Sequence, residues 1–145
     1  MQIANSQETW PSRVNPGINR GYQDAMLRDG RLAKFTAACS PVIYRGDNFP
    51  SGFYGDAFVC EPGGNFVRRV KLTEKDGVVT GSNAYKQDEF LTSTDERFRP
   101  VNLYTAPDGT LCVVDLYRGI LQHHIYVTSY LRGQILDRGL DKPLG

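Results

Sequence analysis

Four residues sit where a chain that has just left an apolar strand could do chemistry: Glu61 after "AFVC", Asp115 after "LCVV", then Arg118 and His123. A guanidinium holds a carboxylate or a developing oxyanion through two parallel N–H bonds. An imidazole titrates near neutral pH and can take the proton of a hydroxyl. A strand-end carboxylate can orient the guanidinium. Asp115, Arg118 and His123 are therefore expected to face one surface, with Asp115 holding Arg118 across a sharp turn at Leu116-Tyr117 and His123 as the candidate catalytic base. Structural roles fit the same residues: Asp115 and Glu61 can accept loop N–H bonds, Arg118 can bridge neighbouring sheets, and the adjacent His123 and His124 can sit in solvent. One acid per strand end is not a cluster of ligands, so no metal site is expected.

The elements that must carry these residues read as strands. "RPVNLYTAPDGTLCVVDLYRG", residues 99–119, places β-branched and aromatic residues at Val101–Thr105 and Leu111–Leu116 around the turn pair Asp108-Gly109, which predicts a hairpin. Its second strand is apolar on both faces, as inside a larger β structure. Earlier strands are expected at "PVIY" (41–44), "DAFVCE" (56–61), "NFVRRVKLT" (65–73) and "VVTGSNAY" (78–85). Arg68-Arg69 lies mid-strand, where alternation sends one side chain in and the other out, onto a solvated face. "GDAFVCEPGGN" from Gly55 echoes "GTLCVVDLYRG" from Gly109, with Pro41-Val42 and Pro100-Val101 upstream, at spacings of 54 and 59 residues. Such a spacing suits one four-stranded propeller blade with a long loop.

Residues 1–33 read as an irregular segment rich in Pro and Gly, anchored by Trp10, Ile18 and Tyr22. Tyr130, Leu131, Ile135 and Leu136 recur at near-helical spacing within 128–139, with Ser129 as N-cap and Gly139 as stop, a helical insertion in residues 34–145. The fold class is thus all-β with a short C-terminal helix. One and a half to two blades leave apolar faces without neighbours, so the chain reads as part of a larger propeller.

Composition narrows the partners. With 40% apolar and 23% charged residues and a net charge of +1, no chain-wide field favours nucleic acid or an anionic membrane. No window approaches a membrane span, and "MQIANSQETW" lacks the charged start and apolar run of a signal peptide. Cys39, Cys60 and Cys112 lack C-x-x-C spacing and read as small core residues.

"GINRGY" (17–22), "GRLAKFTAACSPVIYRGDNFP" (30–50), "GDAFVCEPGGNFVRR" (55–69), "FLTSTDERFRPVNLYTAPDGTLCVVDLYRGILQH" (90–123) and "SYL" (129–131) resemble the later blades of bacterial propeller proteins named as membrane-bound dehydrogenases. That family occurs in planctomycetes and verrucomicrobia and is related to quinoprotein glucose and sorbosone dehydrogenases. The resemblance implies a six-bladed, TolB-like β-propeller outside the cytoplasm, periplasmic or otherwise, completed by remaining blades or fused domains. It further implies oxidation of a small sugar or alcohol with pyrroloquinoline quinone (PQQ) and calcium. Asp115 and Arg118 would then bind the cofactor and His123 would be the base, while this stretch alone would be inactive. The alternative is a non-enzymatic propeller segment that binds protein or glycan.

Overall fold

A computed structural model describes residues 8–14 and 26–142. The expected anchors Ile18 and Tyr22 lie outside the described residues. The described chain is mostly β-sheet with a single α-helix, and its sheets are antiparallel and open. Within the stretch expected to be irregular, β1 (Leu27–Arg28) pairs with β2 (Arg31–Leu32) around Asp29-Gly30, both at positive φ. Residues 8–14 lie over the sheet, with Thr9 N–H donating to Ala33 O and Thr9 Oγ1 donating to Leu32 O.

Four strands follow in a meander, each beside its neighbour in sequence: β3 (Cys39–Ile43), β4 (Ala57–Glu61), β5 (Phe66–Lys75) and β6 (Val78–Asn83). The ten-residue β5 serves two partners on one edge. Val70–Lys75 pairs with β6, which leaves after Asn83, and β7 (Leu91–Thr92) takes the vacated edge opposite Phe66 and Val67. Asp76 (φ 53°) and Gly77 (φ 74°) close the β5–β6 turn, the pair of positive φ values that matches the twist of a two-residue hairpin loop.

β8 (Pro100–Thr105) and β9 (Leu111–Asp115) form the expected hairpin. Gly109 sits at φ 79°, and Asp108 Oδ1 accepts from Thr110 N–H and Thr110 Oγ1. The turn is not free in solvent. Tyr44 Oη donates to Gly109 O, Asn48 Nδ2 donates to Asp108 O, and a Cβ on Gly109 would lie 2.2 Å from Asp47 Oδ1.

The core lies between the two hairpins. Leu103, Leu111 and Val113 of β8–β9 pack against Val42, Phe58 and Cys60 of β3–β4. Tyr44, Phe49, Phe53, Phe58 and Phe90 form a chain of ring contacts with centroids 4.9 to 6.4 Å apart. Tyr44 and Phe58 are wholly buried, a burial that contributes roughly 2–3 kcal/mol for a Phe. A second cluster of Leu32 and Phe66, with Met26, Leu27 and Phe35 against it, seats the β1–β2 ladder.

Arg68 and Arg69 point to opposite faces of β5 as expected, but neither face is solvated. Both are buried, because the chain covers both faces of β5. Arg68 forks onto Glu89 and stacks 4.7 Å from the Phe35 ring; Arg69 donates to Asp56 at 2.6 Å and lies 3.5 Å from the Phe53 ring. Cys60 is a core residue, whereas Cys112 is exposed on the outer face of β9.

The helix α1 (Ser129–Arg138) falls inside the expected range. Its N-cap is Thr128, not Ser129: Thr128 Oγ1 accepts from Leu131 N–H. Gly139, at φ 61°, ends it. Leu131 and Ile135 pack with Leu140, Ile120 and Val127 in a small core of their own.

Candidate functional site

Why β9 breaks off at Asp115 is settled by its carboxylate. Asp115 Oδ1 accepts from Arg99 N–H at 2.7 Å and from Tyr117 N–H at 2.8 Å. The second bond bends the chain, and Tyr117 takes a left-handed φ of 49°, unusual for a bulky side chain. Glu61 does the same at the end of β4. Its carboxylate accepts from Gly63 N–H at 3.0 Å and from Thr36 and Ala37 N–H at 2.9 and 2.8 Å. In both hairpins, the acid ending the second strand captures the N–H two residues on and the backbone entering the first strand. Both ladders also carry a register shift near the start of the first strand.

Asp115 therefore has no ion pair with Arg118 among the described residues, and the expected Asp115–Arg118 couple is replaced by a backbone cap. The cation that ties this region together is Arg99. Its Nε donates to Arg118 O at 2.9 Å, Nη2 to Gly119 O at 3.0 Å and Nη1 to Pro62 O at 2.7 Å. The loops after Glu61 and after Asp115 are thus held by one buried fork. Burial first, and the nearby Arg13 second, pull the Arg99 pKa down to about 10 against Asp115 and Asp95, so it stays charged at neutral pH. Nothing in the sequence marks Arg99 as an anchor, because its partners are carbonyls of distant loops, which leave no mark on residue type.

Arg118 itself is exposed and opens onto a cleft of about 220 Å³. The cleft is lined by Arg97, Tyr117 to Ile120 and Leu140 to Lys142. The helix end builds its far wall: Arg97 Nη2 donates to Gly139 O at 3.1 Å, Arg138 pairs with Glu96, and Gly119 packs so close to Leu140 that a Cβ would meet its carbonyl at 2.7 Å. Three cations, Arg97, Arg118 and Lys142, face one lining carboxylate, Asp141. Tyr117 is held in the wall by its phenol, which donates to Asp95 Oδ2 at 3.0 Å. The arrangement suits one carboxylate or a similar small anion.

His123 does not line this cleft. It caps the one-turn 3-10 helix His124–Tyr126, with Nδ1 accepting from Ile125 N–H at 3.4 Å and its ring 4.3 Å from that of His124. The structure links Asp115 to the Arg118 backbone through Arg99 and leaves His123 on an exposed turn outside the cleft. Among the described residues no group of three His, Cys, Asp or Glu could hold a metal ion, and no helix is long and apolar enough to cross a membrane.

Neither a curated protein nor a solved structure matches this chain. The model of one family, a domain of unknown function (DUF7133), matches residues 2–142. With almost its full length matched, the chain belongs to the DUF7133 family.

Proposed function

We propose that this chain is a segment of a TolB-like β-propeller of the quinoprotein dehydrogenase kind, and that it contributes anion binding at the rim and not the catalytic base. In this reading β3 to β7 form one blade, and β8–β9 is the opening hairpin of the next. The observation that carries it is the repeated hairpin, in which Glu61 and Asp115 cap equivalent bends and β8–β9 stacks face to face on β3–β4. Propeller blades stack in that way, and strand ends with their following loops form the rim.

The residues fit one half of the implied cofactor set. PQQ carries carboxylates, which Arg97, Arg118 and Lys142 would hold; when bound, it supplies a carbonyl that accepts the electrons of an alcohol or sugar. Calcium does not fit, since Asp141 is the one carboxylate lining the cleft and no three His, Cys, Asp or Glu side chains cluster to hold a metal ion among the described residues. His123 has its Nδ1 occupied and lies outside the cleft, so a base for hydroxyl deprotonation comes from elsewhere in the assembled propeller.

A fluorescence titration with PQQ tests the reading. The protein should bind it, and Arg118→Lys should weaken binding about tenfold by keeping the charge and losing the bidentate fork. Unchanged affinity in Arg118→Lys, or no binding at all, overturns the assignment.

A further inference from the structure

Cys39 and Cys60 are Cα partners, directly opposite each other on the antiparallel strands β3 and β4. Residues so paired point to the same face, with Cα atoms about 4.5–5.5 Å apart in regular antiparallel ladders. A disulfide needs about 4.4–6.8 Å. Both side chains belong to the same core cluster, Cys60 wholly buried and Cys39 packed against it. All three cysteines are free thiols in this structure. We propose that Cys39 and Cys60 form a cross-strand disulfide when the protein folds under oxidising conditions, and that Cys112 stays free.

Local structure makes room for the bond. The ladder shifts register between Cys39 and Val42, and Ser40 takes a positive φ of 48°, so the backbone beside Cys39 is already bulged. Cys39 Sγ donates weakly to Val101 O at 3.7 Å, and Ser40 Oγ donates to the same carbonyl at 2.8 Å. Giving up the thiol hydrogen therefore leaves Val101 O satisfied. Cys112 cannot compete: it pairs with Tyr104 on the exposed outer face of β8–β9, whereas the opposite face of that hairpin packs toward Cys39 and Cys60.

The chemistry is thiol–disulfide exchange. With a disulfide oxidant such as oxidised glutathione, the first thiolate forms a mixed disulfide and releases one glutathione thiol. The second thiolate then displaces the other glutathione, so two thiols are oxidised as one disulfide is reduced to two thiols. Burial pushes the Cys60 thiol up to about 12 and raises Cys39 as well, with the Glu61 charge adding to the latter. Neither of these two thiols ionises readily once folded, so the bond forms during folding and is afterwards shielded from reductant. It would act as a structural clamp between β3 and β4, independent of any cofactor at the Arg118 cleft.

Refolding the chain from denaturant with a glutathione redox pair, then blocking thiols under denaturing, non-reducing conditions, tests this directly. The expected result is one alkylated cysteine, Cys112, and a peptide joining Cys39 to Cys60 that is lost on reduction. Cys112→Ser should give the same bond and no free thiol. Three alkylated cysteines after oxidative refolding, or a bond that includes Cys112, would overturn the proposal. A second readout is the urea midpoint of the Cys112→Ser protein, which should be higher oxidised than reduced; equal or lower values count against the clamp.

Discussion

Arg99 spends its guanidinium on three carbonyls of two loops, so its replacement tests what holds the rim. Arg99→Lys keeps a positive charge but loses the fork, and at least two of the carbonyls at Pro62, Arg118 and Gly119 lose their donor. The expected loss is about 2–4 kcal/mol in urea unfolding, since unsatisfied buried acceptors cost about 1–3 kcal/mol each. Tyr117 gives a pH signature at the same place. Its hydrogen bond to Asp95, reinforced by the Asp95 charge, raises the phenol above its ordinary value of 10.0. A raised folded-state pKa means that the stabilisation is fully present below the unfolded value and is lost as pH rises through the folded one. The urea midpoint should therefore fall above pH 10 more steeply in the parent than in Tyr117→Phe, where no phenol ionises.

Among the elements, α1 and the β8–β9 turn make opposite demands on glycine. A Cβ on Gly133 meets nothing within 4 Å, and the helix there pays only the backbone entropy of glycine. Gly133→Ala should raise stability by about 0.5–1 kcal/mol, read from the thermal midpoint. Gly109→Ala should instead cost about 2 kcal/mol or more, because a left-handed φ adds to a Cβ 2.2 Å from Asp47 Oδ1. These positions also mark what could be read without coordinates. The Asp108-Gly109 turn and the acids at Glu61 and Asp115 announce themselves because turn chemistry and strand ends are local. The burial of both Arg68 and Arg69 does not, since the carboxylates that make it tolerable, Glu89 and Asp56, come 21 and 13 residues away in sequence. The Arg118 cleft was half legible: its arginine follows a strand end, but its far wall is the end of a helix packed back onto Gly119 and Arg97.

At the scale of the whole molecule, the repeat makes a statement about a surface. Superimposing Glu61 on Asp115 puts Phe58 and Cys60 onto Cys112 and Val114, and Val42, the partner of Phe58, onto Tyr104, the partner of Cys112. The first set is the face that β8–β9 covers. The second set is open, with Tyr104 55%, Val114 42% and Leu116 48% exposed along one face of the second hairpin. A propeller would cover that face with the next strands; alone in water it is an apolar patch on an open two-stranded ladder, the kind of surface that associates. The isolated chain is therefore expected to bind an apolar dye and to self-associate as its concentration rises in sedimentation velocity. Val114→Lys should suppress both without lowering the unfolding midpoint by more than about 0.5 kcal/mol, since the side chain points into solvent and touches no core cluster. A chain that stays monomeric and binds no dye would show that this face asks for no neighbour. The blade-to-blade reading of the two hairpins would then lose its support, because the operation that carries the first onto the second would stop there.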